Sequence, residues 1–217
     1  MILIPVKNLG GAKQRLARVL DQADRTELAQ AMLADVLQAI CAWEGRPEVS
    51  LVTSDAYAMA LAGKRGVGII ADDANLGETD AIAKATAVCE ARGLESTLVI
   101  PADIPLITAA ELQKIYLATP SRGSVLVPAA DGRGSNAILR RPSALFPLRF
   151  GNDSFLPHLA AARATGFACN VLSLPGIGLD VDSPEDLRQL ALAPGETRAQ
   201  VLARHWGFAG LPKAASE

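Results

Sequence analysis

Basic residues surround a pair of glycines near the start of the chain, in the stretch IPVKNLGGAKQRLA. Lys7 precedes Gly10 and Gly11, and Lys13 and Arg15 follow them. Glycine allows a backbone to approach an anion closely, and backbone N–H groups together with lysine charge bind phosphate oxygens. The stretch matches neither the Gly-x-Gly-x-x-Gly turn of dinucleotide-binding folds nor the Gly-Lys-Ser/Thr of a P-loop. We interpret it as a phosphate-binding loop of another type, and we call residues 7–15 the basic loop.

Aspartates follow two of the predicted strands. Asp103 lies in PADIPL, and Asp180 and Asp182 lie in GLDVDSPEDL. In an open parallel sheet ligands collect at the carboxyl ends of the strands, so these aspartates are expected to lie near the basic loop. Magnesium prefers oxygen ligands and shares its coordination sphere with substrate phosphates. The pattern predicts a magnesium site of Asp103, Asp180 and Asp182, although each aspartate taken singly is equally typical of a turn.

The elements that must position these residues alternate between strand and helix patterns. Apolar runs bounded by turn residues predict strands, and three- and four-residue apolar spacing predicts helices, the first from Arg25 to Trp43 with Asp24 and Glu27 as its capping box. Strands are predicted at 2–7, 49–53, 68–71, 97–100, 125–128 and 137–140 and near Val171 and Leu179; helices are predicted at 56–62, 79–91, after Thr108, around Leu159 and after Ser183-Pro184. This alternation predicts an α/β fold with a mostly parallel sheet flanked by helices.

A second set of anion-binding groups is predicted later in the chain. GNDSFLPH starts a predicted helix, because Pro157 is tolerated only in a first turn, and Ser154 is its expected N-cap. The free N–H groups and positive end of that turn form an anion site. Gly134-Ser135-Asn136 offers further donors on a loop. Taken alone, a Ser154 that only caps its helix and a His158 that only packs beside Phe155 would be ordinary structural features without a role in anion binding.

Composition limits the classes of protein. With 217 residues, half of them hydrophobic, the chain is predicted to form one domain, with a flexible tail from about residue 209. The net charge of −2 with scattered basic residues argues against nucleic-acid binding. There is no apolar run of about 18 residues and no signal-peptide pattern, so a cytoplasmic protein without membrane attachment is expected. Cys41, Cys89 and Cys169 are predicted to be small core residues. A homodimer is compatible with the sequence, which does not fix the oligomeric state.

Five segments in this order resemble the CofC or FbiD type of guanylyltransferase of coenzyme F-420 biosynthesis. The resemblance runs from about residue 4 to 187. It rests on AKxRL at 12–16, PADIPL at 101–106, GSNA at 134–137, SFxxH at 154–158 and the aspartate-bearing run 178–187. The resemblance implies a Rossmann-like nucleotidyltransferase fold related to the molybdenum-cofactor guanylyltransferases. It also implies transfer of GMP from GTP to 2-phospho-L-lactate, phosphoenolpyruvate or 3-phospho-D-glycerate, with magnesium as cofactor.

The resemblance also assigns roles to residues. It implies catalysis by Lys13 with the three aspartates, and GTP phosphate binding by the basic loop. It places the acceptor's carboxylate at the two later segments, with these residues: Gly134, Ser135, Asn136, Ser154, Phe155 and His158. Guanine preference rests on the resemblance alone, with these candidate contacts: Thr53, Asp55, Gly77 and Thr79. Many relatives carry Gly-Leu-Asn where this chain reads NLGETD at 75–80.

The residues themselves agree with phosphoryl chemistry. A phosphate monoester has a second pKa of about 6, so it is already mostly a dianion at neutral pH and needs no activating base. The chain has two histidines, His158 and His205, and no recognisable catalytic triad. Other classes stay open on the residues alone: a cytidylyltransferase, a sugar-nucleotide enzyme, for which Asp-x-Asp would be more usual than Asp103-Ile104-Pro105, or a non-catalytic nucleotide-binding protein.

Overall fold

A computed structural model describes residues 1–74, 76–151 and 153–210 of the chain. Most of the tail predicted to be flexible, from residue 211 onward, lies outside the described residues. Within them, seven strands form one sheet in the order β3-β2-β1-β4-β6-β5-β7. The strands are β1 Ile2–Pro5, β2 Val49–Val52, β3 Gly68–Ile70, β4 Thr97–Val99, β5 Gly123–Pro128, β6 Ser135–Arg141 and β7 Ala168–Val171.

The sheet is mostly parallel, as the sequence predicts. β1 pairs in parallel with β2 and β4, and β5 with β7, whereas β6 runs antiparallel to both of its neighbours. Because β6 is reversed, its amino end lies at the same edge as the carboxyl ends of the other six strands. That edge therefore receives Ser135 and Asn136 together with the loops that follow β1 and β4.

Helices cover both faces of the sheet. They are α1 Gln22–Cys41, α2 Ala56–Arg65, α3 Glu78–Ala91, α4 Ala109–Leu117, α5 Phe155–Ala164, α6 Pro175–Gly178, α7 Pro184–Leu192 and α8 Arg198–His205. One core layer packs α1, α2 and α4 on the sheet, and another packs α3 and α5 on the opposite face. A third cluster joins α1 to α7 and α8. No helix in the described ranges is long and apolar enough to cross a membrane.

Two predictions about the elements are wrong in detail, and one helix was missed. Helix α1 begins three residues earlier than expected, because Asp21 rather than Asp24 is its N-cap and its carboxylate accepts the N–H of Asp24. The residues before Leu179 form the short helix α6 with Pro175 in its first turn, where a strand was expected. Helix α8, capped by Thr197, was not predicted, since it packs mainly through small residues.

The helices predicted after Thr108 and after Ser183-Pro184 are confirmed. Thr108 and Glu111 form a reciprocal capping box at α4, and Ser183 with Asp186 does the same at α7. The three cysteines are free thiols, of which Cys89 is buried and the other two half-buried.

Candidate active site

The basic loop and the acidic segments meet beside the carboxyl ends of β1 and β4, where the strand order reverses. The chain leaves β1 toward β2 on one side, and β4 joins β1 on the other. Such a switch point opens a crevice in α/β sheets. A backbone bond from the N–H of Val181 to the carbonyl of Asp103, 3.1 Å long, fixes the two acidic segments side by side.

Lys13 joins the two acidic segments. Its Nζ lies 2.6 Å from Oδ2 of Asp103 and 2.8 Å from Oδ1 of Asp182. Burial alone would lower the pKa of Lys13, but the two carboxylates outweigh it and raise the pKa. Burial alone would raise the pKa of Asp182. The charges of Lys13 and then Arg15 outweigh burial and lower it. Nη1 of Arg15 lies 3.4 Å from Oδ2 of Asp182. The site therefore holds a fixed ammonium between two carboxylates.

The backbone of Lys13 has an unusual conformation for a residue other than glycine. Lys13 has the left-handed conformation, with φ 56°, between the short 3-10 helices Leu9–Gly11 and Gln14–Leu16. The N–H groups of Gly10 and Gly11 donate to the side chain and the carbonyl of Asn8. Phosphate binding by these two N–H groups stays a prediction, and it requires an exchange of the bonds to Asn8.

Asp180 is bound by the side-chain amide of Asn136. Nδ2 of Asn136 donates to Oδ1 of Asp180 over 3.0 Å and also to the carbonyls of Ile177 and Gly178. Burial is the main cause that raises the pKa of Asp180, and the negative charge of Asp103 adds to it. The Asn136 side chain is buried, so its described bonds orient the Asp180 carboxylate.

The ammonium of Lys13 lies between two of the three aspartates predicted to bind magnesium, Asp103 and Asp182. Among the described residues, no group of three or more His, Cys, Asp or Glu side chains has the geometry of a metal site. A magnesium ion commonly needs only one or two protein carboxylates, with substrate phosphates and water supplying the other ligands. Magnesium binding here stays a prediction.

Two cavities share a wall at these carboxylates. The serine-side cavity, of about 420 Å³, is lined by the carboxylates and by residues of the β6 and α5 region, including Ser135, Asn136 and Ser154. The lysine-side cavity, of about 350 Å³, is lined by the loop after β1, including Lys7, Gly11 and Lys13. Both cavities are lined by these residues: Glu78, Pro101, Asp103 and Asp182. The shared wall is therefore strongly acidic, with Lys13 against it.

Glu78 is a site residue that the sequence analysis missed. It is the first residue of α3 and stands on the shared wall of both cavities. Burial raises its pKa to about 7, Asp103 adds to the rise, and Lys7 opposes it. The only signal in the sequence was its position after a predicted strand, in the segment where the chain departs from Gly-Leu-Asn.

Removing the ionisable group of Glu78 is expected to stabilise the metal-free protein at high pH. Its folded pKa of about 7 lies above the ordinary 4.5, so its contribution to stability is present below pH 4.5 and is lost as the pH rises through 7. For Glu78→Gln we expect a gain of about 1 kcal/mol at pH 8, allowing for the part of the side chain open to the cavities. This corresponds to roughly 2–4 °C in Tm.

The measurement is thermal unfolding of both proteins in the presence of a chelator across this pH range. Asp80→Asn is the matched control, because it removes an exposed carboxylate from the same first turn of α3. A Tm difference for Glu78→Gln that does not grow between low and high pH would contradict the raised pKa.

The predicted acceptor residues come together, but in different roles. Ser135 and Ser154 line the serine-side cavity. His158 is only 1% exposed and does not, among the described residues, line it. Phe155 packs into the core beneath α5.

Ser154 occupies the predicted N-cap position of α5, but its side chain does not cap the helix. Its backbone is already helical, with φ −71° and ψ −19°, and its side chain makes no capping bond. Instead, Oγ of Ser154 accepts the N–H of Ser135 over 3.2 Å, which ties α5 to β6. The first N–H of α5, on Phe155, donates to the carbonyl of Arg133. The helix start therefore has fewer free donors than the sequence implied.

Two of the residues predicted to contact the nucleoside, Asp55 and Gly77, lie beside the loop that follows β1. Thr53 is buried, and Asp55 caps α2 and also accepts the N–H of Leu9. Thr79 accepts the N–H of Phe150. Gly77, with φ 139°, lies beside the ammonium of Lys7, which is 3.9 Å from where a Cβ would stand. The side chains of Thr53, Asp55 and Thr79 thus have protein partners, and nucleoside contact at these positions stays a prediction.

The fold is of the nucleotidyltransferase type, with the loop after β1 and Asp103 after β4 at the switch point of its sheet. A protein from Desulfovibrio desulfuricans G20 classed with nucleotide-diphospho-sugar transferases has a similar fold, with a TM-score of 0.74 at 21% identity, over 94% of this chain and 96% of that one. All of residues 1–217 match the family model described as "Guanylyl transferase CofC like". The chain belongs to this guanylyltransferase family.

Curated relatives agree with this assignment. The chain is 37% identical to a phosphoenolpyruvate guanylyltransferase of Roseiflexus castenholzii, over 94% of this chain and 93% of that protein. It is 32% identical to a 2-phospho-L-lactate guanylyltransferase of Methanothermobacter thermautotrophicus, over 99% of this chain and 94% of that protein.

Proposed function

We propose that this enzyme transfers GMP from GTP to a phosphorylated three-carbon acid and releases pyrophosphate, as a step of coenzyme F-420 biosynthesis. The observation that carries the proposal is the acidic wall shared by two cavities, with Lys13 against it. The lysine-side cavity takes the GTP phosphates and the serine-side cavity takes the acceptor. The two reacting phosphates then meet at the shared wall.

The side chains at the wall suit a direct transfer between two phosphates. The acceptor phosphate is already a dianion at neutral pH, so its oxygen attacks the α-phosphorus of GTP without a protein base. No cysteine or histidine is among the described residues that line either cavity. What the reaction needs is positive charge near the departing pyrophosphate, and Lys13 and Lys7 supply it, while Arg15 adds positive charge on the acceptor side of the wall.

Magnesium is the cofactor that we propose for this site. Asp103, Asp180 and Asp182 are the carboxylates that would hold it, because the charges of Asp103 and Asp182 both bear on Asp180. Lys13 pairs with Asp103 and Asp182, and it would release them to the ion by turning toward the GTP phosphates. When bound, the ion would neutralise charge on the phosphates that share it.

Phosphoenolpyruvate is the acceptor that we rank first, because the relative at 37% identity carries that name. Its carboxylate would accept hydrogen bonds from Ser135 and Ser154 in the serine-side cavity. The free thiols and these metabolites support the cytoplasm as the site of the reaction.

The function is tested by a matrix of nucleotides and acceptors, with pyrophosphate release as the readout. We expect turnover with GTP well above that with ATP or CTP, and the best acceptor among the three acids. Glycerol phosphate, which lacks the carboxylate, should be at least roughly tenfold poorer in kcat/KM, since charge-assisted hydrogen bonds contribute about 1.5–3 kcal/mol each. A preference for CTP would indicate a cytidylyltransferase, and binding without pyrophosphate release would indicate a non-catalytic protein.

A further inference from the structure

A chain of three hydrogen bonds lies behind the serine-side cavity. The backbone N–H of Arg149 points at Nε2 of His158 over 2.8 Å. Nδ1 of His158 lies 2.9 Å from Oγ of Ser135. The N–H of Ser135 in turn donates to Oγ of Ser154. The chain links the loop before α5, the helix itself and the start of β6.

The first bond fixes the proton on the ring. A backbone N–H is a donor only, so Nε2 of His158 must offer its lone pair. The neutral ring then carries its proton on Nδ1, which donates to Oγ of Ser135. Burial, and then the charge of Arg140, lower the pKa of His158 to about 4, so the ring stays neutral across the physiological range. The rings of Phe150 and His158 form a T-shaped contact, with their centroids 5.3 Å apart.

The second bond then decides what Ser135 does. A serine hydroxyl can rotate to donate or to accept. With the His158 proton pointing at its oxygen, the hydroxyl's own proton has no acceptor among the described protein groups, and Ser135 lines the serine-side cavity. The proton is therefore left for a ligand that accepts hydrogen bonds.

We propose that His158 is a positioning residue, which holds the Ser135 hydroxyl as a hydrogen-bond donor to the anionic end of the acceptor. In this proposal His158 acts through Ser135 and contacts neither substrate, which differs from the binding role predicted for it from the sequence. The proposal rests on the function proposed above, because it needs an anion in the serine-side cavity. It adds a selectivity element, since a donor that is fixed by its partner favours a carboxylate over a neutral hydroxyl group.

Two substitutions separate the two bonds of His158. In His158→Asn the side-chain amide reaches the position of Nδ1, so a donor to Ser135 is retained and the acceptor for Arg149 is lost. In His158→Gln the amide reaches the position of Nε2, so the acceptor for Arg149 is retained and the donor to Ser135 is lost. We expect His158→Gln to raise KM for the acid about tenfold with little change in KM for GTP, and His158→Asn to stay closer to wild type.

A double-mutant cycle with Ser135→Ala tests whether His158 acts through this serine. If it does, His158→Gln should add nothing to the KM increase of Ser135→Ala. Additive effects, or an equal KM for the two His158 variants, would overturn the proposal, because a purely structural histidine acts independently of the serine hydroxyl. Thermal unfolding of each variant sets a temperature at which all of them are folded.

Nitrogen NMR of isotope-labelled histidine gives a readout that does not depend on turnover. Comparison with His158→Gln distinguishes His158 from His205, and the wild-type signal should show a neutral ring protonated at Nδ1. An Nε2-protonated or cationic ring at neutral pH would overturn the proposal. If the wild-type enzyme turns over none of the acids, the proposed function fails. If turnover is normal and Ser135→Ala leaves the acceptor KM unchanged, only this inference fails.

Discussion

Replacing Asp103 with asparagine is expected to lower kcat/KM by about 10²- to 10³-fold while the protein stays folded. The change removes one negative charge from the wall that both cavities share and leaves the side-chain volume almost unchanged. It takes away the carboxylate that lies 2.6 Å from Lys13 and that we propose as a magnesium ligand. The backbone bond from Val181 to the Asp103 carbonyl is unaffected, so the two acidic segments should stay together.

The measurement is steady-state kinetics with GTP and the best acid, beside a thermal unfolding curve. Asp131→Asn is the matched control, because Asp131 lines the serine-side cavity on its exposed rim and an asparagine oxygen can still accept the N–H of Arg133. Near-normal turnover in folded Asp103→Asn, or an equal loss in the control, would remove Asp103 from its proposed role.

Lys13 gives the second large effect. Lys13→Ala should weaken GTP binding about tenfold or more and lower kcat/KM at least about 10²-fold, because it removes the cation that faces the phosphates, takes the ammonium from Asp103 and leaves Asp182 with Arg15 alone. Lys13→Gly should be as inactive, yet more stable than Lys13→Ala by about 1 kcal/mol, since the position has φ 56° and glycine adopts it without strain.

The comparison of these two variants separates charge from backbone shape. Titration with GTP and thermal unfolding are the measurements, and Arg18→Ala, at an exposed basic residue of the same region, is the control that should behave like wild type. Activity in Lys13→Gly that approaches wild type would show that the loop conformation, and not the ammonium, is what the reaction needs.

The alternation of elements made the fold predictable, and the exceptions have physical causes. Asp21 and Asp24 are both good N-cap residues, and only the packing of the first turn decides between them. A short apolar run such as the one from Leu174 to Leu179 reads equally well as strand or helix, because periodicity needs more residues to be visible. Helix α8 buries Ala199 and Ala203, whose small side chains give a weak apolar pattern.

The site was predictable in its residues and less so in its contacts. The rule that ligands gather at strand ends brought Lys13 and the aspartates to one edge. It could not show that Lys13 lies between Asp103 and Asp182, because those residues are 90 and 169 positions away in sequence. Nor could it show that His158 lies behind Ser135, since hydrogen-bond direction depends on the tertiary packing of the Arg149 backbone.

The most direct test of the account is the fate of the acceptor's phosphate oxygens. Phosphoenolpyruvate with heavy-oxygen-labelled phosphate is incubated with GTP, magnesium and the enzyme, and the products are analysed by mass spectrometry and phosphorus NMR. The account predicts one unlabelled pyrophosphate for each molecule of GMP joined to the acid through its phosphate, with all of the label kept in that product. Label in the pyrophosphate, or pyrophosphate released without an acid-linked GMP, would contradict transfer of GMP between the two cavities.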